Sequence, residues 1–209
     1  ITFVMPIIKF TGNDGDWNNA NNWSAGTVPD ENSNVAIESD VIINGDVTVK
    51  TLVINDGGSV TLESGSLTVT DDFTNTNASA FVIEDSAQVF QTNDNVLATF
   101  LMNVENPTGE LVKDNITGWQ FISSPMKDAA TAGFETEGGY DLFKYDGTQE
   151  LEWINLKNHA TDFESTFQQG RGYIVSYEAQ ATAEFKGILH NRKTVTFTDI
   201  KAKDDSKHV

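Results

Sequence analysis

The stretch from Asn34 to Phe90 constrains the fold more than any other part of this chain. Apolar residues come there in pairs two apart: Val35/Ile37, Val41/Ile43, Val47/Val49, Leu52/Ile54, Val60/Leu62, Leu67/Val69 and Phe81/Ile83. Most recur every five to eight residues. Residues i and i+2 of a strand face the same side, so each pair points two side chains into one interior. Between the pairs lie Asn44-Gly45-Asp46, Asn55-Asp56-Gly57-Gly58 and Glu63-Ser64-Gly65, all turn compositions. Strands this short do not stand as isolated hairpins. Stacked as the sides of a coil they share one continuous core, which is the logic of a β-solenoid.

The flanks fit that frame. Ile1–Phe10 reads as a strand covering the open end of the coil, because solenoids need capped ends. Residues 11–33 are rich in Asn, Asp and Gly, and Trp17 and Trp23 interrupt the polarity as anchors onto the first coil. After Gln91 the pattern changes: Val96, Ala98, Phe100, Met102 and Val104 alternate as a longer half-buried strand does. The boundary falls within 93–112, giving a solenoid over 1–95 and a second domain over 96–209. Strands in the second half are expected at Gly118–Ser123, Tyr140–Tyr145, Leu151–Leu156, Gly172–Tyr177, Thr182–Phe185 and Lys193–Phe197, with helical turns at Lys127–Phe134 and Asp162–Gln168. Short segments at this spacing imply an antiparallel sandwich. The expected fold is all-β: a short right-handed β-solenoid, then an antiparallel β-sandwich-like domain.

Charge narrows the function. Asp and Glu number 31 against 13 Lys and Arg, a formal charge of −18. That balance argues against nucleic acid, whose phosphates demand a cationic footprint, and against an anionic membrane surface. The absence of cysteine excludes disulfides, thiolate metal sites and cysteine nucleophiles. The apolar run Ile1–Ile8 is too short to span a bilayer, so no direct membrane insertion is expected. Since the chain opens without Met, it reads as an internal fragment or a mature form.

Candidate sites are few. Asp14, Asp16 and Asn18 alternate along one loop and offer oxygens to Ca²⁺, but an EF-hand starting at Asp14 would need Gly and Glu where Asn19 and Ala25 stand. An Asx-turn loop is the favoured reading, and no other cofactor is expected. Trp17, Trp23 and Trp153 are candidates for stacking on sugars, core packing being the alternative. His159, His190 and His208 lie far apart with no metal-ligand spacing. Gly170-Arg171-Gly172 leads into Tyr173-Ile174-Val175, a turn into a strand and not a phosphate loop. Ser123-Ser124-Pro125 lacks the surroundings of a nucleophile elbow.

The run TGNDGDWNNANNWSAGTVPD, then NVAI and VTVKTLVINDGGSVTLESGSLTVTDDFTN, resembles a module of large surface and secreted bacterial proteins exported by type IX secretion. The likeness covers about 9–92, with Val60 in place of that pattern's first Leu after the Gly pair. The words GWQFISSP, YDLFKYD, WIN, GRGYIV and FKGIL resemble the β-rich region that follows such coils. There a Trp-x-Leu-x-Gly-Asn-Pro segment normally comes later, and this chain reaches Val209 without it, which leaves the completeness of the second domain open. The resemblance implies an extracellular or outer-surface location and a role as stalk or spacer. Partners would be other domains of the parent protein, together with glycans or cell-surface proteins. A non-enzymatic structural and presentation module with adhesive capacity is therefore expected. The alternative is a carbohydrate-binding or accessory region of a secreted hydrolase. A polysaccharide lyase would need a basic or Ca²⁺-bearing groove, and Lys50 is the one cation between Asn34 and Phe90.

Overall fold

Paired apolar residues build the coil as their spacing demands. In a computed structural model describing residues 6–104, 119–132, 140–147, 152–177 and 181–191, the chain is all-β and contains a β-solenoid of about three turns followed by an antiparallel sheet. Strands β1 (Ile7–Phe10), β2 (Asn34–Ile37), β3 (Asp40–Asn44), β4 (Val47–Val49), β5 (Thr51–Ile54), β6 (Ser59–Val69), β7 (Phe73–Thr74), β8 (Phe81–Ile83) and β9 (Ala87–Phe90) make the coils. Every pairing among them is parallel: β2 with β5 and β5 with β7 on one side, β3 with β6 and β6 with β8 on the next, β4 with β6 and β6 with β9 on the third. The register stacks like on like, Val35 on Leu52 and Leu52 on Phe73, Val41 on Val60 and Val60 on Phe81. These side chains are buried, as are Ile37, Ile43, Val49, Ile54, Leu62, Leu67, Val69 and Ile83. One stacked aliphatic column is the core of this unit.

Two expectations change in detail. Glu63-Ser64-Gly65 is not a break between strands, because β6 runs through it as a corner: its first half pairs with β3 and its second with β4. Gly65 makes the corner passable, with φ +77° and a notional Cβ only 2.3 Å from the carbonyl carbon of Gly45 in the coil below. The stretch between Leu67/Val69 and Phe81/Ile83, which carries no apolar pair, nevertheless contains β7, whose Phe73 is buried.

Two edges of the first coil are covered. Strand β1 pairs in parallel with β2, and the following loop bridges to β3, with the Ile42 amide donating to the Gly15 carbonyl at 2.7 Å. Covered edges remove the unpaired amide and carbonyl rows that invite aggregation. At the other end β10 (Leu97–Val104) pairs in parallel with β8, and β15 (Ala181–Ile188) lies next to β10 in the same sheet.

Compactness divides the chain into two interleaved units. The first comprises 1–102, 125–129 and 184–193; the second comprises 103–124, 130–183 and 194–209. The first unit thus takes in two returning segments, with the Lys127 amide donating to Ile188 and the Leu189 amide to Val96. In the second unit β11 (Gln120–Ile122), β12 (Tyr140–Tyr145), β13 (Trp153–Asn155) and β14 (Tyr173–Tyr177) form an antiparallel sheet in the order β11-β14-β12-β13. A 3-10 turn at Ala160–Asp162 precedes the segment read as a helical turn at Asp162–Gln168, and Thr166 there bridges to Ala130 as extended chain. The strand expected at Lys193–Phe197 and the end of the turn expected at Lys127–Phe134 lie outside the described residues.

Candidate functional site

The polar loop before the coils is held by its own side chains. Asp14 Oδ1 accepts from the Asp16 amide (3.0 Å) and from the Asn22 side-chain amide, and its Oδ2 accepts from Asn19 Nδ2 at 2.6 Å. Asp16 Oδ1 accepts from the Asn18 amide at 2.9 Å. The Asn22 hydrogen bond, above all, holds the Asp14 carboxyl below its ordinary range. The Asp14 and Asp16 oxygens proposed for Ca²⁺ therefore carry the Asx turns of the loop, Asn18 entering through its backbone amide, and a cation would have to displace these donors.

Trp17 and Trp23 seal this loop onto the coil. Trp17 is 1% exposed and Trp23 is 3% exposed. Trp23 packs edge-on against both Trp17 (4.6 Å between centroids) and Phe10 (4.9 Å), and its indole N–H donates to the Trp17 carbonyl at 2.7 Å. A sugar needs an open ring face, and neither has one. These two candidates are corrected to cap residues.

Trp153 differs, being 41% exposed on the antiparallel sheet. Register decides what surrounds it. Leu142, Lys144, Ile154, Tyr173, Val175, Tyr177 and Ile122 point to one face and are buried. The opposite face carries Phe121, Ile174 and Phe143 in one row and Tyr145 beside Trp153 in the next. Trp119, two residues before Phe121, joins them by packing on Phe143 at 5.3 Å between centroids. Tyr145 packs on Trp153 at the same separation. Phe121 is 80% exposed, and Trp119 and Tyr145 are exposed too. Beside the rings lies a polar corner: Asn155 Nδ2 donates to Asp141 Oδ1 at 2.8 Å, the Lys157 amide donates to Asn155 Oδ1 at 2.8 Å, and Lys157 Nζ lies 3.7 Å from Asp141. Sequence reasoning found Trp153 and missed Trp119, Phe121, Phe143 and Tyr145. The available signal was parity: if Leu142 and Lys144 share a face, Phe143 and Tyr145 share the other.

Charged groups gather behind the sheet. Buried Lys144 lies 3.3 Å from Glu164 Oε1, donates to the Asp162 carbonyl, and sits 5.4 Å from the centre of the Phe163 ring. Arg171 shares the same carboxylate oxygen, while Glu164 Oε2 is buried without a hydrogen-bond partner. The Tyr173 hydroxyl accepts from the Gln168 amide at 2.9 Å, and burial raises its pKa. Gly170, at φ +72°, makes the turn into β14 that the sequence implied.

The first unit holds a cavity of about 300 Å³ lined by Val89, Phe90, Phe100, Leu189 and His190 among others. Both His190 nitrogens are sealed from solvent and lack hydrogen-bond partners, so the cavity offers a solute mostly carbon surface. Burial first, then the charge of Lys127, pushes the His190 pKa down. Among the described residues no three or more His, Cys, Asp or Glu converge as a metal site, and no helix is long and apolar enough to cross a membrane.

Neither the curated proteins nor the solved structures contain a match to this chain. A family model does match, over residues 9–206, and takes in the solenoid and the antiparallel sheet together. By that match the chain belongs to the family described as Domain of unknown function (DUF8693).

Proposed function

We propose that this chain is a structural and presentation module of a bacterial surface or secreted protein, working outside the cell and joined to other domains of its parent. The observation that carries the reading is the stacked aliphatic column of the solenoid, in which each coil is braced by its neighbours. Such a column is suited to spacing and rigidity. Its acidic composition suits solubility and keeps polyanions away. No reaction is part of this role; adhesion falls to the exposed face of the antiparallel sheet.

Antibodies raised against the chain test the location: they are expected to label intact cells or the culture medium, and labelling only after lysis would overturn it. Incubating the chain with acidic polysaccharides, with and without Ca²⁺, is expected to release no product; steady product release would replace the module with an enzyme.

The second reading, a carbohydrate-binding or accessory region of a secreted hydrolase, is favoured by one observation, the open rings of Trp153 and its neighbours. Both readings use the same face and differ in what the parent protein does with it.

A further inference from the structure

We propose that the open face of the antiparallel sheet is a binding platform for a neutral glycan, with Trp119, Phe143, Tyr145 and Trp153 as its stacking floor and Asp141, Asn155 and Lys157 as its hydrogen-bonding corner. This rests on the reading of that face as the adhesive part of the module.

The chemistry of the face selects the ligand. A pyranose offers an apolar C–H surface and an edge of hydroxyls, and a protein site for it combines aromatic surface with a few placed polar groups. Here the two edge-to-face pairs, Trp119/Phe143 and Tyr145/Trp153, lie on adjacent positions of one sheet. Phe143 and Tyr145 are two residues apart on the same strand, roughly 7 Å, so successive sugars can meet successive rings. The corner carries an acceptor carboxylate hydrogen-bonded by a donor–acceptor amide, with an ammonium 3.7 Å from that carboxylate as its ion-pair partner. Asp141, Phe143, Tyr145, Trp153 and Asn155 stand on the paired strands β12 and β13, which fixes their spacing before a ligand arrives.

Charge decides which glycan. Asp141 and Lys157 offset one another within the corner, whereas the chain as a whole carries −18. Anionic polysaccharides and anionic lipid surfaces would be repelled on approach. A protein partner would use the rings as anchors and leave the polar corner without a role; a sugar uses both.

The test is affinity electrophoresis and calorimetry of the full chain with cellohexaose and a soluble neutral mannan, with polygalacturonate as the acidic comparison. Binding to at least one neutral glycan and none to polygalacturonate is expected. Trp153→Ala and Tyr145→Ala should each weaken binding roughly tenfold or more, a tenfold loss being about 1.4 kcal/mol. Asp141→Asn should weaken it less, and Ile42→Ser on the solenoid should leave it unchanged. Far-UV dichroism and melting of each variant separate lost binding from lost fold. No binding to either neutral glycan by a folded chain overturns the proposal, as does binding that the ring variants leave untouched or that polygalacturonate shares. Those failures leave the spacing role standing, since surface labelling and product release test it without a ligand.

Discussion

The solenoid and the antiparallel sheet spend their aromatic residues in opposite ways. In the solenoid's cap Phe10, Trp17 and Trp23 close on one another and on the first coil, and none shows a face to water. On the sheet Trp119, Phe121, Tyr145 and Trp153 lie open, while the buried face holds a lysine. A short coil has unpaired edges and an exposed end, so its large rings are needed as a plug. A sheet with one face already packed has a second face to spare, and rings placed there contribute contact surface more than stability.

The sharpest way to break this contrast is to remove a ring from each. Trp17→Ala should destabilise the chain by about 3–5 kcal/mol, as loss of a fully buried aromatic does. Trp153→Ala should cost about 1 kcal/mol or less, the value of an exposed ring pair. Urea titration of the two variants checks both, and equal losses would erase the distinction.

Next in size is the buried charge behind the sheet. Lys144→Met leaves the partly exposed Glu164 carboxylate with Arg171 alone and is expected to cost about 2–3 kcal/mol. Adding Glu164→Leu should recover part of that loss, because the carboxylate left half-compensated, with its Oε2 buried and without a hydrogen-bond partner, goes with it. A double variant less stable than the single one would show that the pair itself, not the stranded charge, carries the energy.

Backbone geometry at the coil corner comes third. Gly65→Ala should cost about 1–3 kcal/mol, since the new methyl meets Gly45 and the residue keeps a left-handed φ. Gly26→Ala also has a left-handed φ but has nothing within 4 Å of its added methyl, so about 1 kcal/mol is expected. The difference between the two, read by melting, isolates coil-on-coil contact from backbone strain.

The smallest effect is on pH. His190 is disfavoured as imidazolium in the fold, with Lys127 facing it and Asp94 paired to that lysine. Below its ordinary value of 6.5 the unfolded chain therefore binds more protons than the folded one, and stability falls as pH drops. Asp14 and Asp30 act in the lower window: their depressed pKa values stabilise the cap loop above 3.8, and that contribution is lost as pH falls through the folded values. His190→Leu should flatten the melting-temperature profile just below pH 6.5 while leaving the acid limb unchanged.

How far the sequence shows all this follows from the range of the forces. The paired apolar residues of the coil are a local signal, and Val35/Ile37 through Phe81/Ile83 occupy the strands and mostly the burial that their spacing implies. Glu63-Ser64-Gly65 looks like a turn because Gly at positive φ serves equally a turn and a strand bent around a corner. The returns of 125–129 and 184–193 to the first unit depend on pairings such as Met126 with Leu189, which no local pattern announces. In the sheet Tyr-Asp-Leu-Phe-Lys-Tyr does not alternate cleanly. Lys144 is buried because Glu164, far off in sequence, neutralises it, and Phe143 is turned outward in consequence. Trp17 and Trp153 are indistinguishable as letters; burial is set by the neighbours the fold supplies.

The most direct test of the contrast uses the 4 tryptophans as reporters. The full chain is labelled with 5-fluorotryptophan, its ¹⁹F lines are assigned by substitution, and a soluble gadolinium chelate is added. The lines of Trp119 and Trp153 are expected to broaden, with those of Trp17 and Trp23 unchanged at the same concentration. Broadening of the Trp17 and Trp23 lines alongside the other two would contradict the account, because the cap would then be open and the sheet face nothing special.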